Sequence, residues 1–268
     1  MSGRALAAGF ASASAALRLL LHAITMPPMH LLDLTLSPVL NLALDDALIE
    51  SAETSDSHPE VLRLWEPTSP IVVLGRSSPL AMEVNVDLCQ SENIPIYRRI
   101  SGGQSIVTGP GCLMYAVLLD YRIRPQLRML DKAHEFVMSQ LGSALATIGI
   151  ETKMQGTCDL TFEGRKFSGN ALRCRRNWFL YHGTIILKSF DLSLISKCLG
   201  TPKRQPDYRE SRSHEEFVTS VPANVDELRA ALIKQWNATN VFDNPPIDLA
   251  ETLAASKYND SDWLNKVP

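Results

Sequence analysis

Hydrophobic positions along this chain follow two different periods, which together predict a mixture of strands and helices. Short runs rich in Val, Ile and Leu, bounded by Gly, Pro or polar residues, predict β-strands. These runs cover residues 31–36, 62–65, 71–74, 94–100, 105–107, 113–119, 160–162, 166–171 and 179–187. Apolar residues at helical spacing predict helices over residues 41–50, 133–148 and 224–236, with Asn224 as the N-cap of the last.

The balance between these elements indicates the fold class. Strands preponderate and the helices are isolated and long, which favours an α+β fold over a doubly wound α/β fold. We therefore expect a mixed or antiparallel sheet with helices packed on one face. Neither a Walker A sequence nor a G-x-G-x-x-G sequence occurs, so a nucleotide would be bound by other loops.

Length, composition and charge narrow the class of protein. A chain of 268 residues with 45% hydrophobic content can bury one large core without a disulfide or a metal. The net charge of −3 argues against nucleic acid as a partner, because nucleic-acid binders usually carry a basic excess. We also expect no membrane span, since Arg18 and His22 divide the best apolar run. The five cysteines form no C-x-x-C pair, so neither a disulfide framework nor a zinc site is predicted.

The first 28 residues differ in composition from the rest of the chain. They are rich in Ala, Ser and Leu, and no acidic residue occurs before Asp33. We interpret residues 1–28 as a flexible or targeting tail. A mitochondrial transit peptide has this profile, although a disordered tail or a true start at Met26 or Met29 would also account for it. The expected location is cytoplasmic, with the mitochondrion as the alternative.

Two segments about sixty residues apart carry the most specific chemistry. Residues 98–103 read Arg-Arg-Ile-Ser-Gly-Gly, and residues 163–171 read Glu-Gly-Arg-Lys-Phe-Ser-Gly-Asn-Ala. Arginine presents a planar fork that matches phosphate, and the backbone N–H groups of a small-residue turn can face an anion. Lys166 lies between two glycines, where the backbone can approach a ligand closely. The segments together predict a phosphate and carboxylate site, although an exposed hairpin turn would also account for the second one.

The two segments resemble sequence blocks of the lipoate–protein ligases in the biotin and lipoate ligase superfamily. The matching blocks, in chain order, are residues 41–48, 62–65, 71–76, 98–103, 159–160, 164–171 and 182–184. Their order and spacing agree with the family over roughly residues 31–237. The resemblance implies a biotin/lipoate ligase-like catalytic domain, which we place at residues 29–268 as a single domain without a C-terminal accessory domain.

The resemblance also implies a reaction. Lipoate or octanoate would be activated by ATP, with Mg²⁺ whose ligand residues are unknown, to an acyl-adenylate. The acyl group would then pass to a lysine of a lipoyl-carrier domain, of the 2-oxoacid dehydrogenase E2 or glycine cleavage H protein type. Because large bacterial members carry an extra C-terminal domain, a separate accessory subunit is a further expected partner.

The matching positions supply the expected site residues. Lys166 would be catalytic, holding the carboxylate and α-phosphate oxygens, and Trp65, Ile71 and Val73 would line an acyl tunnel. No residue is assigned to a metal. The residues expected to contact substrate or adenylate are Arg98, Ser101, Gly102, Gly103, Gln104, Arg76, Trp65, Asp159, Ser168, Gly169, Asn170, His182 and Gly183.

Two departures from the family pattern leave alternatives open. Gln104 stands where the family usually has a third glycine, and Thr108-Gly109 where it usually has His-Asp. An ATP-independent octanoyl or lipoyl transferase would use a cysteine thioester, with Cys158 as the best candidate and Cys198 the next. A catalytically inactive lipoyl-adenylate binding protein is the other alternative. The donor-rich residues 205–214 would close over the nucleotide or dock the acceptor, or would be a solvated loop.

Overall fold

The computed structural model describes residues 27–201 and 205–267, so the tail predicted over residues 1–28 lies almost wholly outside the described residues. The strands of the described part are β1 (His30–Asp33), β2 (Val61–Trp65), β3 (Ile71–Leu74), β4 (Ile96–Arg98), β5 (Ile106–Thr108), β6 (Cys112–Asp120), β7 (Lys153–Gln155), β8 (Asp159–Phe162), β9 (Arg165–Cys174), β10 (Trp178–Ile186) and β11 (Asn240–Val241). The helices are α1 (Pro38–Thr54), α2 (Leu80–Glu83), α3 (Val86–Ser91), α4 (Leu130–Thr147), α5 (Ser193–Cys198), α6 (His214–Phe217), α7 (Val225–Gln235), α8 (Ile247–Leu253) and α9 (Ser261–Leu264). Short 3₁₀ turns lie at Pro125–Arg128 and Asp207–Arg209, and a π-helical turn at Ala254–Tyr258.

The strands form two sheets. The larger sheet has the order β11-β1-β2-β6-β10-β9-β8-β7. Strand β1 is parallel to both of its neighbours, and the other neighbouring pairs are antiparallel. In the smaller sheet, β3 lies between a parallel β4 and an antiparallel β5. The predicted mixed sheet with packed helices is confirmed.

Helices cover both faces of the larger sheet, so the expectation of helices on one face is wrong. Leu44 of α1 belongs to the same buried cluster as Leu118 and Leu180 of the central strands. Leu141 of α4 belongs to a second cluster, which contains Val117. Val117 and Leu118 are consecutive residues of β6 and therefore point to opposite faces. Because every residue of β6 is buried, both of its faces need a cover.

The smaller sheet joins the cluster of α1 to a third cluster. Ile71 and Val73 of β3 pack with the residues around α1. Val72, between them, packs with Cys89 of α3 and Cys198 of α5. The alternation along β3 therefore places the smaller sheet as a layer between α1 on one side and two short helices on the other.

Each strand and helix predicted from the sequence has a counterpart, with ends displaced by one to a few residues. The asparagine predicted to cap α7 does so: Asn224 Oδ1 accepts hydrogen bonds from the backbone of the first helical turn. The structure adds short elements, including α2, α3, α8 and α9. Helices of four to seven residues make too few turns for an apolar period to be visible in the sequence.

Among the residues that the structure describes, no helix has both the length and the apolar character that a bilayer crossing requires.

Candidate functional site

A cavity of about 650 Å³ is lined by residues of both sheets. Residues 205–218, here called the cover segment, also contribute to its wall. The apolar part of the lining includes Leu42, Trp65, Val73, Ile106, Met114 and Phe167. A concave, mostly apolar space with a few polar groups is the usual form of a small-molecule site.

Lys166 on β9 lines this cavity with its ammonium group. Its Nζ lies 2.7 Å from Oδ1 of Asp159, at the start of β8. The other carboxylate oxygen of Asp159 accepts a hydrogen bond of 2.6 Å from the hydroxyl of Tyr208, in the cover segment. A Cβ at Gly169 would come within 3.2 Å of Nζ, so the glycine leaves space for the lysine side chain. The lysine side chain is 29% exposed and can therefore meet a ligand.

Asn170 holds the strands around Lys166 in place. Its Nδ2 donates to the carbonyl oxygen of Cys158 at 2.7 Å, and its Oδ1 accepts from the hydroxyl of Tyr115 at 2.6 Å. A Cβ at Gly183 would lie 1.9 Å from Oδ1 of Asn170, so glycine is required where the amide crosses β10. Asn170 thereby fixes the turn that precedes Asp159.

A hydrogen-bonded chain of buried side chains runs from β2 to the cavity wall. Nη1 of Arg63 lies 2.5 Å from Oδ1 of Asp45, and Nδ1 of His182 lies 2.8 Å from Oδ2. Nε2 of His182 in turn lies 2.5 Å from Oγ of Ser101. Because a carboxylate only accepts hydrogen bonds, Nδ1 carries the hydrogen that faces Asp45. The chain therefore fixes the imidazole ring and anchors the Ser-Gly-Gly turn.

The charge state of Asp45 follows from its neighbours. Burial alone would raise its pKa, but the charge of Arg63 and the hydrogen bond from His182 outweigh burial and lower the pKa below its ordinary value. Asp45 and Arg63 are both buried. The pair is therefore an ionised, hydrogen-bonded unit inside the protein.

Arg99 lines the cavity, but its donors are used within the protein. The acceptors of its guanidinium are the hydroxyl of Ser101 and the carbonyl oxygens of Val73, Gly102 and Gln104. Burial lowers the pKa of Arg99 to about 10, so the group stays charged at neutral pH. Arg99 therefore stabilises the Ser-Gly-Gly turn through hydrogen bonds to its residues.

Two glycines let this turn pack against the end of β3. Gly103 has a φ of +84°, and its carbonyl oxygen would lie 1.7 Å from a Cβ at Gly75. The backbone N–H of Arg76 donates to the carbonyl oxygen of Ser101 at 2.8 Å. Gly103 and Gln104 line the cavity, whereas the exposed Arg76 is held by its backbone beside the turn.

Arg98, expected to bind phosphate, lies outside the cavity lining and is fully buried. Its guanidinium donates to the carbonyl oxygens of Gly75, Ser78, Trp263 and Leu264. All three guanidinium nitrogens are engaged in these hydrogen bonds. We therefore assign Arg98 a structural role, in which it ties the C-terminal helix α9 to the turn after β3.

The sequence did not single out Arg209 as an anion ligand, yet it has the properties of one. It lines the cavity, is 3% exposed and stacks on the ring of Phe217 at 4.9 Å. Its Nε donates to the carbonyl oxygen of Arg212, but its buried Nη2 has no hydrogen-bond partner within the described part of the chain. An unpaired, buried guanidinium nitrogen is costly unless a ligand or an ordered water supplies an acceptor.

The two candidate cysteines are in surroundings that disfavour the thiolate. Burial, followed by the charge of Asp159, raises the pKa of Cys158 to about 11. Burial and the neighbouring Cys89 raise the pKa of Cys198 to about 12, and its side chain is fully buried. Both are protonated at neutral pH, so neither has the activated form that a thioester route needs.

The structure brings most of the expected site residues to one cavity. Those in its lining are Trp65, Gly103, Gln104, Cys158, Asp159, Lys166, Ser168, Gly169, Asn170, His182 and Gly183. Of the three residues expected around an acyl tunnel, Trp65 and Val73 are in the lining, and Ile71 is packed in the core beside α1. Ser101 lies outside the lining and contacts two residues of it, His182 and Arg99. Gly102 and Cys198 also lie outside the lining.

Two important residues could have been noticed from local sequence signals. Asp45 is an acidic residue at an otherwise apolar position of the first helix, which calls for a buried partner. Arg209 belongs to the donor-rich run after residue 204. Their partners, Arg63 and Phe217, are set by tertiary structure, so the sequence pattern alone does not identify the contacts.

Among the described residues, no group of three or more His, Cys, Asp or Glu side chains is arranged to hold a metal ion.

The sequence profile described as lipoyl protein ligase A/B catalytic domain matches residues 37–242. The chain belongs to this family. Among its relatives is the putative lipoate-protein ligase A of Aeropyrum pernix, 28% identical over 207 residues, which represent 77% of this chain and 74% of the relative. The matched range contains α1, both sheets except β1, and the whole cover segment.

Solved structures of lipoate–protein ligases share the fold. The structure of a bi-partite lipoate protein ligase with its E2 lipoyl domain, from Thermoplasma acidophilum, has a TM-score of 0.75 and 21% identity, and the match covers 91% of this chain and 98% of that one. A lipoate-protein ligase A bound with ATP also has a TM-score of 0.75, at 20% identity, with 90% and 100% covered. At these identities the likeness shows the fold, which is the biotin/lipoate ligase fold expected from the sequence.

Proposed function

We propose that this chain is a lipoate–protein ligase: it activates lipoate or octanoate with ATP and transfers the acyl group to a lysine of a lipoyl-carrier domain. The family membership supports the reaction class. The observation that carries the proposal is that Lys166, paired with Asp159, lines the same cavity as Arg209, whose Nη2 has no hydrogen-bond partner among the described residues.

In the first step, a carboxylate oxygen of the acid attacks the α-phosphorus of ATP, and pyrophosphate leaves. Negative charge on the carboxylate and α-phosphate oxygens must be balanced as the new bond forms. Lys166 would exchange its contact with Asp159 for these oxygens. A preorganised donor of this kind is worth about 3–4 kcal/mol in other enzymes. Arg209 would supply a second, planar donor to phosphate.

The apolar part of the cavity suits the acyl chain. Trp65, Val73 and Met114 offer apolar surface, which is favourable for a buried hydrocarbon chain at about 0.8 kcal/mol per CH₂ group. The side chain of His182 is held by Asp45 and Ser101 and closes this part of the wall. Lipoate and octanoate share the carboxylate and the chain, so both remain proposed substrates.

In the second step, the amine of the acceptor lysine attacks the acyl carbonyl of the adenylate, and AMP leaves. Lys166 again faces the oxygens on which charge develops. The bi-partite Thermoplasma protein was solved with its E2 lipoyl domain, which supports a lipoyl-carrier domain as acceptor. An accessory subunit that promotes the first step is the corresponding further partner.

Mg²⁺ is expected to enter with the nucleotide. In proteins this ion usually keeps phosphate and water ligands and takes only one or two carboxylates. The described residues fit this mode and not a protein cage, since the carboxylate of Asp159 is the acidic group beside Lys166. The ion would balance phosphate charge, and Asp159 would be its contact to this chain.

Two alternatives are less well supported. A cysteine-thioester transferase would need a thiolate, whereas the pKa of Cys158 is raised to about 11. A binding protein without turnover would not need the Lys166–Asp159 pair to be held by Tyr208 and by the turn that Asn170 fixes.

The test is acyl transfer to a purified lipoyl domain, followed by mass spectrometry, with pyrophosphate release measured in parallel. We expect a mass increase with lipoate or octanoate only when ATP and Mg²⁺ are present, and loss of both signals in Lys166→Ala. Lys153→Ala, which removes an exposed lysine of β7, is the matched control and should be fully active. Acyl transfer from an octanoyl-carrier protein without ATP would contradict the proposal, as would binding of ATP and lipoate without pyrophosphate release.

A further inference from the structure

Tyr208 and Lys166 share one carboxylate. Oδ2 of Asp159 accepts from the Tyr208 hydroxyl at 2.6 Å, and Oδ1 faces Nζ of Lys166 at 2.7 Å. Because a carboxylate only accepts hydrogen bonds, the Tyr208 hydroxyl is the donor in this contact.

Several contacts fix the position of the Tyr208 ring. A Cβ at Gly156, whose φ is +57°, would lie 3.2 Å from Cε1 of Tyr208, so the backbone before β8 comes close to the ring. The ring lies 5.2 Å from that of Phe217. Nη2 of Arg212 donates to the carbonyl oxygen of Tyr208 at 2.7 Å. The cover segment therefore presents the hydroxyl to Asp159 in a fixed geometry.

We propose that Tyr208 is a positioning residue, which keeps Asp159 from holding Lys166 too tightly; its effect on catalysis rests on the ligase function proposed above. A hydrogen bond on Oδ2 draws charge away from the carboxylate and fixes its plane, so that Lys166 meets Oδ1 alone. Lys166 can then leave Asp159 for a substrate oxygen at low cost. Without the hydroxyl, the carboxylate is free to turn and offer both oxygens to the ammonium group.

The first test measures how tightly Asp159 holds Lys166, and it does not depend on enzyme activity. In Tyr208→Phe, the tighter pair should slow the labelling of Lys166 by an amine-reactive N-hydroxysuccinimide ester several-fold, measured by peptide mass spectrometry. Lys132, an exposed lysine paired with Glu135 on α4, serves as the internal reference. Asp159→Asn should label faster than the wild type. An unchanged or faster rate in Tyr208→Phe overturns the proposal, whether or not the protein is a ligase.

The second test concerns catalysis. Tyr208→Phe should lower kcat for acyl-adenylate formation by about ten- to a hundredfold, the factor that corresponds to a hydrogen bond with a charged group, with little change in KM for ATP. In an Asp159→Asn background the same change should have almost no further effect, because Tyr208 acts through that carboxylate. Tyr121→Phe is the control. It removes a hydroxyl that donates a hydrogen bond to Cys174, neither residue lines the cavity, and kcat should be unchanged.

The outcomes separate this inference from the proposed function. Absence of ATP-dependent acyl transfer in the wild type would contradict the ligase function, and the labelling rates would still decide the role of Tyr208. An active wild type with normal kcat in Tyr208→Phe, or with additive losses in the double variant, overturns the role of Tyr208 alone. Thermal melting of each variant confirms that the fold is kept.

Discussion

Nη2 of Arg98 donates a hydrogen bond of 2.6 Å to the carbonyl oxygen of Leu264, which lies 166 residues further along the chain. Trp263 completes the contact, because its indole N–H donates back to the carbonyl oxygen of Arg98 at 2.9 Å. The same guanidinium holds Gly75 and Ser78, next to the Ser-Gly-Gly turn. Arg98 thus joins α9 to a loop that supports the cavity, although it does not line the cavity itself.

This arrangement predicts that Arg98 contributes to stability. Lysine cannot reach four carbonyl oxygens on different sides, so Arg98→Lys should lower the free energy of unfolding by about 2–4 kcal/mol. Urea unfolding measures the loss. Arg175→Lys, in which the replaced side chain is 34% exposed and paired with Glu50, should cost less than about 1 kcal/mol. Normal stability in Arg98→Lys, together with weakened ATP binding, would instead restore the phosphate contact expected from the sequence.

Nη2 of Arg209 has no hydrogen-bond partner in the part of the chain that the structure describes, which predicts a role in nucleotide binding. In Arg209→Lys the planar fork is lost while the charge is kept, so kcat/KM for ATP should fall by about ten- to a hundredfold. The ATP dependence of pyrophosphate release measures this loss. Arg229→Lys changes an arginine that lies outside the cavity lining and is paired with Asp33, and it should have the kinetics of the wild type. Normal ATP kinetics in Arg209→Lys would show that another group binds the phosphates.

How much could be predicted from the sequence depends on whether an element carries its own signal. Strand β6 is apolar at nearly every position and α4 has a clear helical period, so both were predicted close to their observed ends. The block around Lys166 was singled out by its glycines and charged residues and by its resemblance to the family, and its part in the chemistry stays a prediction. Elements of four to seven residues, such as α9, carry no such period.

The difference between the expected and the observed surroundings of Arg98 has a physical cause. Arg98 and Arg99 are adjacent in a motif that suggests anion binding, but both donate to carbonyl oxygens of the surrounding turns. Which arginine has a donor left for a ligand depends on how many acceptors the fold places around it. That number arises from contacts such as the one between Arg98 and α9, which no local pattern specifies.

The raised pKa of Cys158 predicts that its thiol is dispensable. Because the pKa is about 11, almost no thiolate exists at pH 7, and Cys158→Ser can keep the hydrogen bond to the carbonyl oxygen of Asn170. We expect acyl transfer within about twofold of the wild type, and the same for Cys198→Ser. Iodoacetamide at pH 7 should label the exposed Cys174 before either of them. Loss of transfer in Cys158→Ser, with rapid alkylation of Cys158 in the wild type, would favour the thioester route.

The buried pair of Asp45 and Arg63 predicts that the free energy of unfolding falls on acidification. The folded pKa of Asp45 lies below its unfolded value, so the carboxylate stabilises the fold fully above the unfolded pKa of about 3.9, and this stability is lost as the pH falls through the folded pKa. At pH 7, Asp45→Asn should therefore lower the free energy of unfolding by about 3 kcal/mol, because Arg63 is left buried without a counter-charge.

The difference in stability between wild type and Asp45→Asn depends on pH. Unfolding by urea should show a constant gap between wild type and Asp45→Asn from pH 7 to pH 5, and a shrinking gap as the pH falls below about 3.9, where the unfolded carboxylate of the wild type binds its proton. Asp33→Asn removes a carboxylate that is 43% exposed and paired with Arg229, and its cost should stay below about 1 kcal/mol throughout. A gap that grows on acidification would mean that Asp45 is protonated in the folded protein at neutral pH. His182 would then face a neutral acid, and the hydrogen-bonded chain to Ser101 would lack the charge that orients the imidazole ring.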